Sequence, residues 1–410
     1  LVITKGIIKM RPFFPLFVLV LLPWVMLFPA YAQGATDGNE AVIEEQKKQK
    51  WLVESQLEVL DVDEIEQFWE QLKREYDGFL PENQPIRLKD FFLMEGSLIS
   101  KGLLMGFLKY IFQEIWLNGK LLGSIMILTV FSMLLEHIQS AFEQNNVSKV
   151  GYAITYLVIF ILAIHSFSSA MTYAQETIST MVHFMLALVP MILALLASMG
   201  NLTSVALFHP LIIFLIHISG VVIYRVVFPL LFFSAILSII STFSEQYKVT
   251  QLANLLRNIT IGILGGLLTI FLTVVSVQGA SSAVVDGVTI KAAKFITGNF
   301  VPVVGKMFTD ATDTVISASL LVKNTIGLAG LFILLIICAF PSLKILVLAF
   351  IFHLSAALLQ PLGNSSIIPC LQTISRNLLF VFAALASVSL MFFLGLTMII
   401  AAGNLSLMVR

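Results

Sequence analysis

Beyond Glu95 the chain is built from long apolar runs with few charges: 121–138, 151–171, 179–199, 258–279 and 378–402, with two double-length stretches at 204–243 and 325–360. A run of about twenty apolar residues matches the helix that crosses a bilayer core of about 30 Å. Backbone groups in lipid must be satisfied within the protein, so only helices or closed barrels can span, and unbroken runs lack the alternation of a barrel strand. The fold class is therefore all-α: a polytopic helical membrane protein. Composition agrees, with 58% hydrophobic and 12% charged residues, where a soluble domain carries about a quarter charged. Cutting 204–243 near Arg225, and 325–360 near Pro341 and Lys344, gives about nine helices in a transmembrane domain over 119–410, with a range of seven to nine.

The charges are unevenly placed. Of 24 acidic residues, 16 lie between Asp37 and Glu95; the eight beyond face fourteen Lys and Arg, a balance of 14 − 8 = +6 for the apolar part. At the N-terminus, Lys5, Lys9 and Arg11 precede an apolar stretch from Phe13 to Phe28 and then Ala30-Tyr31-Ala32. Basic region, apolar region and small-x-small site, in that order, are those of a signal peptide over 1–32, cleaved between Ala32 and Gln33. Residues 33–95 are then delivered outside the cytoplasm. Within them, Asp61, Asp63 and Glu64 load a first helical turn, Lys73 and Arg74 the last, and Asp77-Gly78 supplies a stop. Ile65, Phe68, Leu72 and Tyr76 form the apolar stripe. This helix is either a solvated appendage resting on the membrane domain or a docking surface for another protein. Residues 96–118 read as an interfacial amphipathic helix ending at Trp116, with Lys101, Lys109 and Glu114 off its apolar face.

Nine spans with an external start put Lys149, Lys248, Arg257, Lys344 and Arg410 inside, and Arg225, Lys291, Lys294, Lys306, Lys323 and Arg376 outside, so positive-inside bias supports the topology only weakly. Pro190, Pro210, Pro229 and Pro341 lie in or between the runs, where they kink helices or free carbonyls. Gly262, Gly265 and Gly266, and Gly327 and Gly330, permit close helix approach. Six histidines, His137, His165, His183, His209, His217 and His353, lie in or near the spans. None sits in HExxH or beside a carboxylate, which points to interhelical hydrogen bonds or headgroup contact rather than a metal or proton site.

Two polar linkers interrupt the apolar body. Residues 244–258 carry Lys248 and Arg257 and read as a short amphipathic helix. Residues 281–324 carry Lys291, Lys294, Lys306, Asp310 and Asp313, with Val304, Phe308, Ala311 and Val315 at helical spacing on the other face. These seven charged residues are the candidate partner-binding or pore-lining set; an interfacial helix pair is the alternative reading of the second linker. The chain has no GxxxxGK[ST], no GxSxG and no Cys/His cluster, and its two cysteines, Cys338 and Cys370, stand alone. Catalytic residues, a cofactor, a metal and nucleic-acid binding are not expected.

Several stretches are idiosyncratic: NGKLLG at Asn118–Gly123, EQYKVTQLANLLRN at Glu245–Asn258, SVQGA at Ser276–Ala280, the long segment Lys294–Asn324, LQPLG at Leu359–Gly363, and the terminal AAGNLSLMVR. In these the chain resembles the stage III sporulation protein AE family of endospore-forming bacteria. The resemblance implies a multi-pass protein of the mother-cell membrane around the forespore. It also implies partners: other stage III sporulation proteins, among them a cytosolic ATPase and ring-forming bitopic proteins, and a forespore-anchored channel partner. Together they would build a secretion-like channel for late forespore development. No catalytic residue carries over. The alternative is a stand-alone permease moving a small solute through kinked helices and the 281–324 linker.

Overall fold

In a computed structural model, residues 62–80, 96–141, 146–243, 249–300, 304–362 and 367–408 are described. The expected signal peptide with its Ala32–Gln33 junction, all of 33–61, the stretch 81–95 and Lys248 lie outside them. Nine α-helices occupy the described residues: α1 (Asp63–Glu75), α2 (Gly96–Leu117), α3 (Gly119–Ala141), α4 (Asn146–Ser198), α5 (Leu202–Val222), α6 (Phe228–Phe243), α7 (Thr250–Phe300), α8 (Val304–Leu359) and α9 (Ile367–Met408).

The helices are longer than the sequence runs suggested. The runs 151–171 and 179–199 lie in one helix, α4, which continues through Pro190. Residues 325–360 lie in α8, which continues through Pro341. Proline removes one main-chain donor, leaving the carbonyls of Leu186 and Ile337, four residues earlier, without their helical partner. Packing on neighbours holds the flanking turns in place regardless. At Arg225, where a break was expected, α5 passes into α6 through a π turn, Ile223–Val227, in which the Phe228 amide donates to the Ile223 carbonyl. Pro229 cannot donate to Arg225, and the wider turn absorbs that missing bond. The linkers are helical as well where described: 250–258 opens α7, 281–300 closes it and 304–324 opens α8. Nine apolar runs thus fall into six helical stretches, because isolated prolines and polar patches were read as breaks.

The five stretches α4, α5–α6, α7, α8 and α9 alternate in direction, and side-chain contacts define the two ends of the bundle. At the first end, Tyr156 shares a hydrogen bond with Thr242 (3.1 Å), Ser234 donates to the Ala253 carbonyl (2.8 Å), and Ser375 donates to the Ala349 carbonyl (2.8 Å). At the second, Ser198 donates to Ser319 (3.2 Å) and Lys323 donates to Asn404 (2.7 Å). The topology expected from nine spans put Arg257 and Arg376 on opposite sides, yet the structure places them close together at the first end.

The centre is α8, with 61% of its most apolar window buried, against 17% for the peripheral α7. Close approach there depends on small residues. A Cβ at Gly330 would lie 2.3 Å from Leu188 of α4, and one at Gly327 would lie 2.6 Å from Ile400 of α9. Gly262, Gly265 and Gly266 instead face open space.

Helix α1 does not rest on the end of the bundle. It lies in the groove between α4 and α8, with Phe68 edge-on to Phe184 (5.4 Å), Trp69 against Phe332 (5.8 Å) and Tyr76 stacked on Phe340 (4.0 Å). Its buried stripe is Ile65, Trp69, Leu72 and Tyr76; Trp69 takes the place assigned to Phe68, because i+3 and i+4 both fit one helical face. Burial, with the Glu75 carboxylate beside it, pushes the Tyr76 phenol well up and keeps it neutral. Gly78, at φ 76°, ends the helix as expected, and its carbonyl accepts from Lys109 of α2 (3.0 Å). Helix α2 packs Leu103, Tyr110 and Glu114 inward while exposing Leu104, Met105, Phe112 and Trp116, so it is apolar on two sides rather than simply amphipathic. It meets α3 at a 41° bend.

A Cβ at Gly106 of α2 would fall 1.8 Å from the Phe79 carbonyl oxygen. Gly106→Ala is expected to push residues 76–80 off α2 and cost about 1–3 kcal/mol. Gly265→Ala, in open space, should be neutral or stabilise by up to about 1 kcal/mol. Thermal unfolding of the full chain in detergent separates the two.

Candidate functional site

Charged groups inside an apolar body are the first place to look for function, and four of them here are held at contacts between helices. Lys344 of α8, the residue at which a break was expected, points toward α2: its Nζ lies 3.7 Å from Glu114 Oε1 and 4.1 Å from the ring centre of Tyr173 on α4. Glu114 Oε2 also accepts from the Asn118 amide (3.0 Å), at the bend between α2 and α3. Tyr110, one turn earlier, packs on Phe340 (4.9 Å), so ion pair and aromatic cluster form one unit joining α2, α4 and α8. Sequence reasoning placed Glu114 on the exposed side of an interfacial helix and found no acid to pair within the spans. The signal available was Lys344 itself, a cation in the middle of an apolar run.

Lys323 is fully buried on α8. It donates to the Ile400 carbonyl (3.0 Å) and to Asn404 Oδ1 (2.7 Å), near the C-terminal end of α9, where the helix dipole favours a cation. Asp286 of α7, also buried, accepts from the amides of Thr203 (2.9 Å) and Ser204 (2.8 Å). It therefore caps α5 from a different helix. Asn201, at the usual cap position, makes no side-chain cap bond, and Gly200 (φ 85°) turns the chain there.

A cleft of about 440 Å³ between α1 and α4 is lined by Glu64, Gln67, Phe68, Gln71, His183, Leu186 and Ala187. His183 and Glu64 both line it, from different helices. His165, His183, His209, His217 and His353 are all exposed, which leaves outward contacts rather than interhelical bonds within this chain. Among the described residues, no group of three or more His, Cys, Asp or Glu is placed to hold a metal.

The six candidate residues that lie in described helices do not converge. Arg257 lies near the start of α7 and Lys291 near its end, 34 residues on and about 51 Å away along the helix. Lys291 is exposed; Lys294 follows on α7, and Lys306, Asp310 and Asp313 fall in the first turns of α8. Arg257 belongs to the other end of the bundle with Arg376. Two separated polar ends, not one site, result.

Long apolar helices in an antiparallel array, with charges buried where helices meet, define a multi-pass helical membrane protein. Its family profile is that of stage III sporulation protein AE, matched over residues 87–403. The chain is 57% identical over 351 residues, 86% of its own length and 88% of the relative's, to stage III sporulation protein AE of Bacillus subtilis (strain 168). It belongs to the stage III sporulation protein AE family and serves in sporulation. No solved structure matches it.

Two predictions follow from the charged groups. Glu114→Gln or Lys344→Met alone should each lower stability by about 1–3 kcal/mol, and the double variant should recover most of that, because the cost is an unpaired buried charge. Asp286→Ala should cost about 1–3 kcal/mol by stranding two amides of α5. Thermal unfolding in detergent reads all four proteins; a double-variant loss equal to the sum of the two single losses would show that the pair is not coupled.

Proposed function

We propose that this protein is a membrane-embedded assembly component of a secretion-like channel between mother cell and forespore, needed for late forespore development, and that it catalyses no reaction itself. In this reading it sits in the mother-cell membrane around the forespore with its N-terminal segment extracytoplasmic. It works there with other stage III sporulation proteins, including a cytosolic ATPase and a forespore-anchored partner.

The observation that carries the reading is length. Exposed apolar side chains run along α5–α6 from Leu202 through Leu207, Phe214, Ile218 and Phe233 to Ile240, about 57 Å of helix. A hydrocarbon core of about 30 Å would cover that stripe only at a tilt near 60°, beyond the usual limit of about 40°. Similar excess exists in α4 and α8, apolar over 45 and 46 residues. Apolar surface outside lipid needs a protein cover, which other subunits supply. The polar α1, seated in the groove between α4 and α8, also implies that this flank meets water or protein rather than lipid.

Photo-crosslinkers placed at Leu202, Phe214 and Ile240 in sporulating cells test this. Capture of other stage III proteins from at least one end of the stripe is expected. Lipid adducts at all three positions, with no protein captured, would refute the assembly role. Solute flux in liposomes containing only this chain, abolished by Lys306→Ala or Asp310→Asn, would favour a permease instead.

A further inference from the structure

At the first end of the bundle, two arginines lie near one another. Arg257 of α7 lays its guanidinium over the ring of Phe380 on α9, 4.8 Å from the centroid, and donates to Asn254 one turn back. Arg376 stands one turn before Phe380 on the same helix, close enough for the two positive charges to repel. Among the described residues, neither arginine has a carboxylate partner; the ion pair there is Lys344–Glu114. Helix packing thus holds together two cations that Coulomb repulsion would separate. Beside them, Asn377 is buried and its Nδ2 has no acceptor; three residues before Phe380, it shares the α9 face turned to α7.

We propose that Arg257, Arg376 and Asn377 form an anion-binding site for a phosphate group between α7 and α9. A tetrahedral oxyanion answers each anomaly at once: it neutralises the paired guanidiniums and offers acceptor oxygens to their forked donors. It also brings an acceptor within range of the Asn377 amide. Stacking on Phe380 fixes the Arg257 plane in advance, so little side-chain freedom is lost on binding. The position suits either of two sources of the same chemistry, a phospholipid headgroup at the edge of the bilayer or free inorganic phosphate. The site is independent of the channel reading, since it rests only on the α7–α9 contact.

The test uses the full-length protein in a phosphate-free zwitterionic detergent, titrated separately with inorganic phosphate and with short-chain phosphatidylglycerol while thermal unfolding is followed. A saturable rise in Tm is expected with one or both. A response to phosphate assigns the free ion, and a response to phosphatidylglycerol alone assigns a headgroup. Arg376 is exposed, so Arg376→Gln should fold and should bind roughly tenfold more weakly, the loss of one charge-assisted hydrogen bond. Arg376→Lys should bind at an intermediate level. Arg376→Glu supplies a fixed carboxylate beside Arg257, so it should raise the basal Tm and abolish the response. No rise in Tm with either ligand, or the same rise in Arg376→Gln and Arg376→Glu as in the unaltered protein, would overturn the site.

Discussion

Main-chain hydrogen bonding is the constraint on which the rest depends. In apolar surroundings an unmade backbone bond costs several kcal/mol, so the chain keeps its helices running even where the side chains argue for a stop. Pro190 and Pro341 each remove a donor, and Pro229 is accommodated by a π turn, but α4, α8 and the α5–α6 stretch continue. Continuous helices of this length must then lie side by side in an antiparallel array, and they approach closely where Gly327 and Gly330 leave room for Ile400 and Leu188.

That architecture decides where charge can survive. Several charged groups of the apolar body sit where helices meet and are held by a helix terminus, an opposite charge or an aromatic face. Lys323 uses the Ile400 carbonyl and Asn404, Asp286 uses the first amides of α5, Lys344 uses Glu114 and Tyr173, and Arg257 uses Asn254 and Phe380. These contacts link helices far apart in sequence. They pin the relative height of neighbours as much as they stabilise any one of them, since sliding by one turn would strand the charge.

Much of the fold was legible in the residues. The polytopic helical class follows from run length and charge scarcity. The helix over Asp63–Glu75, its stop at Gly78 and the tight approach at Gly327 and Gly330 follow from local chemistry. Polarity is not a break: 250–258, 281–300 and 304–324 are polar yet helical, because a helix outside lipid, or one facing water, tolerates charge without losing its backbone bonds. The candidate set suffered for a related reason. Arg257 and Lys291 are separated by one straight helix, a rigid spacer that no pattern of residue types reveals.

The sequence by itself determined that this is an α-helical membrane protein of the stage III sporulation protein AE family, because those properties reside in run length and in contiguous residues. Only the tertiary structure decided that α1 fills the groove between α4 and α8, that Glu114 reaches Lys344, and that Arg257 lies over Phe380, one turn from Arg376. Each of these joins residues separated by more than a hundred positions, and their meeting depends on how whole helices stack.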